Sequence, residues 1–262
     1  MDTILLNRAR FIQVKALEAG IPLRLIGGVG VFEKCVSQRA FLKAKRSSLR
    51  GHNADEEDID FVSLLLYKNK LEKFFRSYNF KIEKDTATIP YSRREIFILK
   101  GKERIECDVN YDVLRYNTTI DFRKRFFVDS ITLPTAELLL SKLQPTDFKA
   151  KHLIDVIALL NEFDLTKNDL EGINIDIVAD LCSSNWCLEN NVRKNLRCLM
   201  NGLNCGIIEG MLKEKTSKKI DEIYEVLNTH PKSILWQIQS NRFGRLLFNC
   251  YQDTEDIEYE YT

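Results

Sequence analysis

The sequence predicts a mixed α+β fold, with a small mixed β-sheet and flanking helices over residues 1–130 and an all-helical domain over residues 131–262. Strand-like alternation and short apolar runs between glycine turns occur only in the first half. From residue 134 onward the apolar positions recur at helical spacing. The chain has 262 residues, of which 44% are hydrophobic and 29% charged, as expected for a globular protein of one or two domains.

The N-terminal segment predicts a helix, a strand and a second helix. Apolar residues between positions 2 and 19 recur at helical spacing, and the Gly-Ile-Pro sequence that follows ends this helix. Residues 23–26 form a short apolar run that stops at Gly27-Gly28 and predicts a strand. Residues 29–43 then return to a helical pattern.

A polar segment over residues 43–57 predicts a charged loop. Its arginines, Arg46 and Arg50, are candidate contacts for a triphosphate or an RNA backbone, although a solvated loop explains the same residues. The loop leads into residues 58–62, whose alternation with period two predicts a half-buried strand.

The next elements are a helix, a strand and a hairpin. Residues 68–77 have a helical pattern, and residues 80–84 predict a strand. Residues 95–100 and 103–110 flank a Lys-Gly-Lys turn and predict a β-hairpin.

The second half predicts helices throughout, and a proline at position 134 suits the first turn of one of them. The predicted helices cover 136–143, 149–161, 174–182, 189–200 and 218–228. The acidic tail, residues 253–262, is expected to be frayed.

Composition excludes several classes of protein. The 39 Lys and Arg residues nearly balance the 38 Asp and Glu residues, which argues against coating nucleic acid by bulk charge. The N-terminus lacks the pattern of a signal peptide, and no apolar run approaches the ~20 residues of a membrane span. We therefore expect a cytoplasmic protein without a membrane partner. The seven cysteines form no CxxC pair, which predicts buried thiols and disfavours zinc or a disulfide framework.

Three carboxylates carry the strongest chemical signal. Asp58 and Asp60 lie two positions apart on a predicted strand, so they point to one face and repel each other unless a cation lies between them. Mg²⁺ prefers a few carboxylate oxygens together with substrate phosphates. Asp108, on a strand of the predicted hairpin, would complete a metal site, and Glu106 on the same face competes with it for this role.

The Gly27-Gly28 turn lies between a predicted strand and a predicted helix. Backbone N–H groups at such a turn can face an anion, and the helix dipole favours phosphate there. Taken alone, the two glycines are weak evidence, because most Gly-Gly pairs only form a turn; the carboxylates downstream are what point to a phosphate site.

This order of motifs resembles the DNA polymerase beta-like nucleotidyltransferase superfamily. Its pattern is a strand with Gly-Gly, then Asp-x-Asp, then a distal Asp, matched here by Gly27, Gly28, Asp58, Asp60 and Asp108. The resemblance implies that the carboxylates hold Mg²⁺ or Mn²⁺ and that an NTP such as ATP is the substrate. It implies transfer of an NMP to a hydroxyl acceptor with release of pyrophosphate.

A second segment, 132–144 (TLPTAELLLSKLQ), resembles a bacterial nucleotidyltransferase-like group similar to the abortive-infection type nucleotidyltransferase toxins. In that group a lysine of this segment contacts the nucleotide phosphates and an aspartate on the next helix supports the site, which implies these roles for Lys142 and Asp155. Residues 184–187 and 230–236 resemble the same group. The resemblance also implies that a cognate antitoxin could exist.

Two departures from the pattern keep other functions open. Val29 stands where many members of the superfamily have a phosphate-binding Ser, and His152 stands where the toxin group commonly has an acid. The alternative is therefore a catalytically inactive nucleotidyltransferase fold that binds or regulates a partner. A metal-dependent phosphohydrolase is disfavoured because its usual His-Asp pairs are absent. The acceptor is open among a tRNA end, a protein hydroxyl and a small molecule such as an aminoglycoside.

Overall fold

The computed structural model describes residues 3–49, 58–83, 93–101, 104–116, 118–241 and 244–245. It is a mixed α+β structure with a small mixed sheet and flanking helices, as the sequence predicts. The helices are α1 (Thr3–Glu18), α2 (Gly27–Lys34), α3 (Arg39–Leu49), α4 (Lys68–Ser77), α5 (Thr135–Leu143), α6 (Ala150–Glu162), α7 (Ile175–Ser184), α8 (Trp186–Asn204), α9 (Gly210–Thr229) and α10 (Ile234–Ser240). The strands are β1 (Arg24–Leu25), β2 (Ile59–Ser63), β3 (Lys81–Ile82), β4 (Arg94–Leu99), β5 (Ile105–Tyr111), β6 (Val113–Arg115), β7 (Thr119–Asp121), β8 (Asp164–Thr166) and β9 (Gly172–Asn174).

The main sheet has five strands in the order β1-β2-β5-β4-β3. The strands β2 and β5 at its centre are parallel, whereas the other neighbours are antiparallel. Because β2 and β5 are parallel, the chain must cross over between them, which it does through α4, β3 and β4. The predicted hairpin is confirmed as the antiparallel pair β4–β5.

One face of the sheet is covered by α1 and α4. Helix α1 buries Leu6, Ala9, Ile12 and Ala16, a stripe with helical spacing. The ring of Phe75 on α4 stacks on Phe97 of β4, with ring centroids 4.2 Å apart. The polar residues Asp60 of β2, Asp108 of β5 and Arg94 of β4 lie on the other face of the sheet.

Helix α5 is the central helix of the molecule, because every one of its residues is buried. It packs against α2 of the first half and against α6, α7 and α8 of the second half. The buried apolar side chains of the two halves belong to one continuous core. A division into domains 1–130 and 131–262 stays a prediction from the sequence.

The C-terminal helices meet at a buried carboxylate. Glu189 of α8 is 3% exposed and accepts hydrogen bonds from Arg193 and Lys232, each at 2.7 Å, and from Trp236 Nε1 at 2.8 Å. The segment 230–236 therefore supplies Lys232 and Trp236 to this ion cluster.

Three sequence predictions were wrong in part. The single helix over 29–43 is two helices, because the chain turns at residues 35–38. The predicted loop 43–57 is helical up to Leu49, and residues 50–57, with Arg50, lie outside the described residues. The second half is not all helical, since β8 and β9 form a short parallel pair.

The cysteines also differ from the expectation of buried thiols. Cys35, Cys107 and Cys182 are buried free thiols, but the free thiol of Cys205 is exposed and Cys187 is disulfide-bonded. The tail 253–262 lies outside the described residues. None of the described helices combines the length and apolar character that a membrane span requires.

Candidate active site

The candidate site begins where β2 and β5 run side by side. The parallel register places Asp60 directly opposite Asp108, so their side chains leave the same face of the sheet. Asp58 immediately precedes β2 and is exposed, and its negative charge acts on Asp60. The structure therefore brings Asp60 and Asp108 together, with Asp58 at the exposed end of the pair.

The Gly27-Gly28 turn is packed against this carboxylate pair. The N–H of Ile26 donates to the backbone O of Asp60 at 3.0 Å, which fixes the turn beside β2. Gly27 has a φ of +65°, and a Cβ at this position would lie 1.9 Å from Asp60 Oδ2. Only glycine fits here, both because of the backbone conformation and because the carboxylate occupies the space of a side chain.

The Asp60 carboxylate carries negative charge that its surroundings compensate only in part. Burial and the neighbouring charges of Asp108 and Asp58 raise its pKa to about 6, although Lys142 and Lys151 act in the opposite direction. Because the pKa of Asp60 lies well above its ordinary value of 3.8, the site disfavours the ionised form of this carboxyl group. A bound cation would remove this penalty.

Behind the turn lies a buried ion cluster of Arg46, Lys142 and Asp155. Lys142 Nζ is 2.9 Å from Asp155 Oδ2, and Arg46 pairs with Asp155 Oδ1. Arg46 also donates to the carbonyl O of Gly28 at 3.3 Å. Burial alone would raise the pKa of Asp155, but Lys142 and Arg46 outweigh burial and hold that pKa below its ordinary value.

The cluster shows where two candidate site residues, Asp155 and Arg46, lie. Asp155 was expected to support the site, and its ion pair with Lys142 places the two predicted residues in direct contact. Arg46, a candidate triphosphate contact, lies instead under the turn with its side chain 11% exposed. The lysine and arginine together leave a net positive charge of one beside the glycine turn.

The two departures from the motif pattern have structural explanations. The side chain of Val29 is buried, so it faces the core. His152 Nδ1 accepts a hydrogen bond from the backbone N–H of Lys149 at 3.2 Å and closes the first turn of α6. Burial and the charge of Lys142 lower the pKa of His152 to about 4, so the imidazole is neutral at pH 7.

The sequence suggests that Arg94 could reach a ligand, although the rim of a hairpin explains it equally well, and it gives no signal for Tyr116; both residues neighbour the carboxylates. Arg94 on β4 donates from Nε to both oxygens of Asp108, at 3.0 and 2.8 Å. Tyr116 follows β6 and is 53% exposed as a whole residue, but desolvation of its hydroxyl, and after it the charges of Asp60 and Asp108, raise its pKa. The register of the β4–β5 hairpin places Arg94 diagonal to Asp108. The sequence predicts the hairpin but not its register, so it could not predict this contact.

The carboxylates do not form a complete cage for a metal ion. Among the residues that the structure describes, no group of three or more His, Cys, Asp or Glu side chains is arranged to hold one. Glu106, the predicted competitor, is instead paired with Arg104. Mg²⁺ is usually held by one or two carboxylates with water and substrate phosphates, so Asp58 and Asp60 beside the N-terminus of α2 fit that ion.

Comparisons with known proteins give only distant matches. No protein-family model matches the chain, and no curated protein matches it in sequence. The crystal structure of JHP933 from Helicobacter pylori aligns over 94% of this chain and 99% of its own, at 16% identity and a TM-score of 0.36. The solution structure of the antibiotic-resistance factor ANT(2'')-Ia aligns over 60% of this chain and 83% of its own, at 14% identity and a TM-score of 0.34. At these values neither match assigns an activity to the chain.

Proposed function

We propose that the chain is a divalent-metal-dependent nucleotidyltransferase that moves an NMP from an NTP to a hydroxyl acceptor. The observation that supports this most is the packing of the Asp60 carboxylate, in register with Asp108, directly against the Gly27 turn. This arrangement puts a site of unbalanced negative charge next to the N-terminus of α2. In a metal–triphosphate complex, the metal cation suits the carboxylates and the phosphate anion suits the N-terminus of α2.

The protein would hold the nucleotide through two surfaces. The first N–H groups of α2, beginning at Gly27 and Gly28, have no partner within the helix and would donate to the phosphates. Lys142 would add positive charge, and its ion pair with Asp155 would hold its ammonium group in place. Asp58 and Asp60 would hold the Mg²⁺ or Mn²⁺ ion, which when bound would neutralise the triphosphate and stabilise the leaving pyrophosphate. A role for Asp108 as a third ligand stays a prediction.

The transfer balances without any further reactant. The acceptor oxygen forms a bond to the α-phosphorus while the bond from that phosphorus to the bridging oxygen of pyrophosphate breaks. The proton of the acceptor hydroxyl passes to Asp108, which Arg94 holds in one orientation. The acceptor stays open among a tRNA end, a protein hydroxyl and a small molecule, and a cognate antitoxin is likewise only a prediction.

The test follows the α-phosphate. The full chain is incubated with Mg²⁺, pooled RNA or cell lysate, and each of the four NTPs labelled at the α- or the γ-phosphate. We expect transfer of the α-label only, lost in Asp60→Ala and retained in Asp121→Asn, a change at an exposed carboxylate that pairs with Arg123. Transfer of the γ-label, no transfer with any NTP, or an Asp60→Ala variant equal to the wild type would contradict the proposal.

The second candidate is a nucleotidyltransferase fold without activity that binds a partner. The observation in its favour is that both oxygens of Asp108 already accept hydrogen bonds from Arg94. Calorimetry with each NTP and Mg²⁺ separates the two functions. Micromolar affinity favours the enzyme, whereas millimolar affinity or none favours the inactive fold.

A further inference from the structure

Arg94 and Asp108 form a charge-assisted contact at the edge of the candidate site. Arg94 Nε lies 3.0 Å from Oδ1 and 2.8 Å from Oδ2, and Arg94 Nη2 lies 2.6 Å from Oδ2. Both carboxylate oxygens therefore receive a charge-assisted hydrogen bond, which is the strong class of hydrogen bond in proteins. The Asp108 side chain is 12% exposed, so this contact is shielded from water on the carboxylate side.

The strand order determines the side from which each group approaches Asp108. Strand β5 lies between β2, which carries Asp60, and β4, which carries Arg94. Residue Ile96 is opposite Asp108 and Arg94 is opposite Asn110, so Arg94 and the carboxylates share one face. Arg94 thus approaches Asp108 from the edge of the site that is remote from Asp60.

The positive charge of Arg94 makes Asp108 different from Asp58 and Asp60. Asp108 has a cationic partner supplied by the protein, whereas lysines that are not in contact with Asp60 only partly balance its charge. A divalent ion at Asp58 and Asp60 would have to displace Arg94 to gain Asp108 as a ligand. Displacing Arg94, whose own side chain is 57% exposed, would cost Asp108 the charge-assisted hydrogen bonds to both of its oxygens, and this offsets part of what the ion gains from Asp108.

We propose that Arg94 is a positioning residue that keeps Asp108 out of the metal site and reserves it for the acceptor hydroxyl. The proposal rests on the proposed nucleotidyltransferase function. It assigns the divalent ion to Asp58 and Asp60, and it makes Arg94 the residue that limits how tightly the protein alone binds that ion. Removal of Arg94 releases Asp108 as a third carboxylate ligand.

The experiment measures binding of Mn²⁺ to the full chain by calorimetry, in the absence of nucleotide. We expect Arg94→Gln to bind Mn²⁺ about tenfold more tightly than the wild type, since a third carboxylate joins the site. Arg94→Lys keeps the charge but loses the two-pronged contact, and we expect an affinity between these two. Circular dichroism of each variant establishes that the fold is retained.

Two matched controls separate a released ligand from a mere loss of charge. Lys151→Gln removes a positive charge that acts on Asp60 without touching Asp108. Arg93→Gln removes the adjacent arginine, which pairs with Asp112 at 3.2 Å. We expect each control to tighten Mn²⁺ binding much less than Arg94→Gln does.

A double-mutant cycle completes the test. In an Asp108→Asn background, Arg94→Gln should tighten Mn²⁺ binding no more than Lys151→Gln does. Equal effects of Arg94→Gln with Asp108 present or replaced would overturn the role of Arg94, as would an Arg94→Gln affinity equal to that of the wild type. If no variant binds Mn²⁺ with or without NTP, the metal-dependent function itself fails, which is a different outcome from failure of the role of Arg94 alone.

Discussion

Replacement of Asp60 by Asn should stabilise the fold while it abolishes transfer. Burial, and after it the charge of Asp108, raises the pKa of Asp60 from its ordinary value of 3.8 to about 6. Asparagine has nearly the same shape, so it can occupy the space beside Gly27 without the negative charge. The variant therefore isolates the electrostatic cost of the ionised carboxylate.

The pKa gives the size and the sign of this effect. A carboxyl whose folded pKa is raised favours folding fully below its unfolded pKa, and this contribution is lost as the pH rises through the folded pKa of about 6. At ~1.4 kcal/mol for each pH unit between 3.8 and about 6, the ionised Asp60 costs about 3 kcal/mol well above pH 6. Near pH 5 the cost is roughly half as large.

Urea unfolding without divalent ions, near pH 5 and near pH 8, measures this difference. We expect Asp60→Asn to unfold at a higher urea concentration than the wild type, with a gap that widens at the higher pH. Asp155→Asn is the control of opposite sign, because its carboxylate has a lowered pKa and pairs with Lys142 and Arg46. Loss of that buried partner should destabilise the fold by about 3–5 kcal/mol. An Asp60→Asn variant no more stable than the wild type near pH 8 would refute the reasoning.

Two further substitutions test the packing around the site and the C-terminal ion cluster. Gly27→Ala should lower both the urea midpoint and the affinity for Mg²⁺–NTP in calorimetry, because the new Cβ would lie 1.9 Å from Asp60 Oδ2. Gly20→Ala is its matched control, with a similar φ of +70° and nothing within 4 Å, and should cost only ~1–2 kcal/mol of backbone strain. Glu189→Gln should lower stability by about 2–3 kcal/mol in thermal unfolding, since it leaves two cations without a counter-charge. Glu222→Gln, at an exposed pair of 3.9 Å on α9, should change stability by less than ~1 kcal/mol; equal effects of the two would contradict the role of the buried cluster.

Local patterns in the sequence were enough to predict the elements that build the site. Alternation with period two identified the strand that carries Asp60, and the Lys-Gly-Lys turn identified the hairpin that carries Asp108. The apolar spacing also identified α4 and the helices α5 to α9, but it gave no signal for α10. These predictions agree with the structure because each pattern involves residues that are close together along the chain.

Features that depend on distant residues were not predictable in this way. The break between α2 and α3 and the short pair β8–β9 are set by packing against other elements, since neither has a strong local signal. The contact between Arg94 and Asp108 needs the register of two strands, and the contact of Arg46 with Asp155 joins residues 109 positions apart. A single sequence contains no information on such pairs beyond the charge of each side chain.

The parallel ladder between β2 and β5 has a consequence for how the chain can vary. Opposed positions across a ladder are locked to one another, while side chains alternate between the two faces. Deletion of one residue from β5 ahead of Asp108 would turn the carboxylate towards the apolar core and bring Cys107 or Val109 to the polar side. Lengthening of the crossover connection would leave the pairing of Asp60 with Asp108 unchanged. The loops of the connection can therefore vary in length as long as β4 keeps Arg94 beside Asp108, whereas a one-residue change within β2 or β5 would disturb the carboxylate pair.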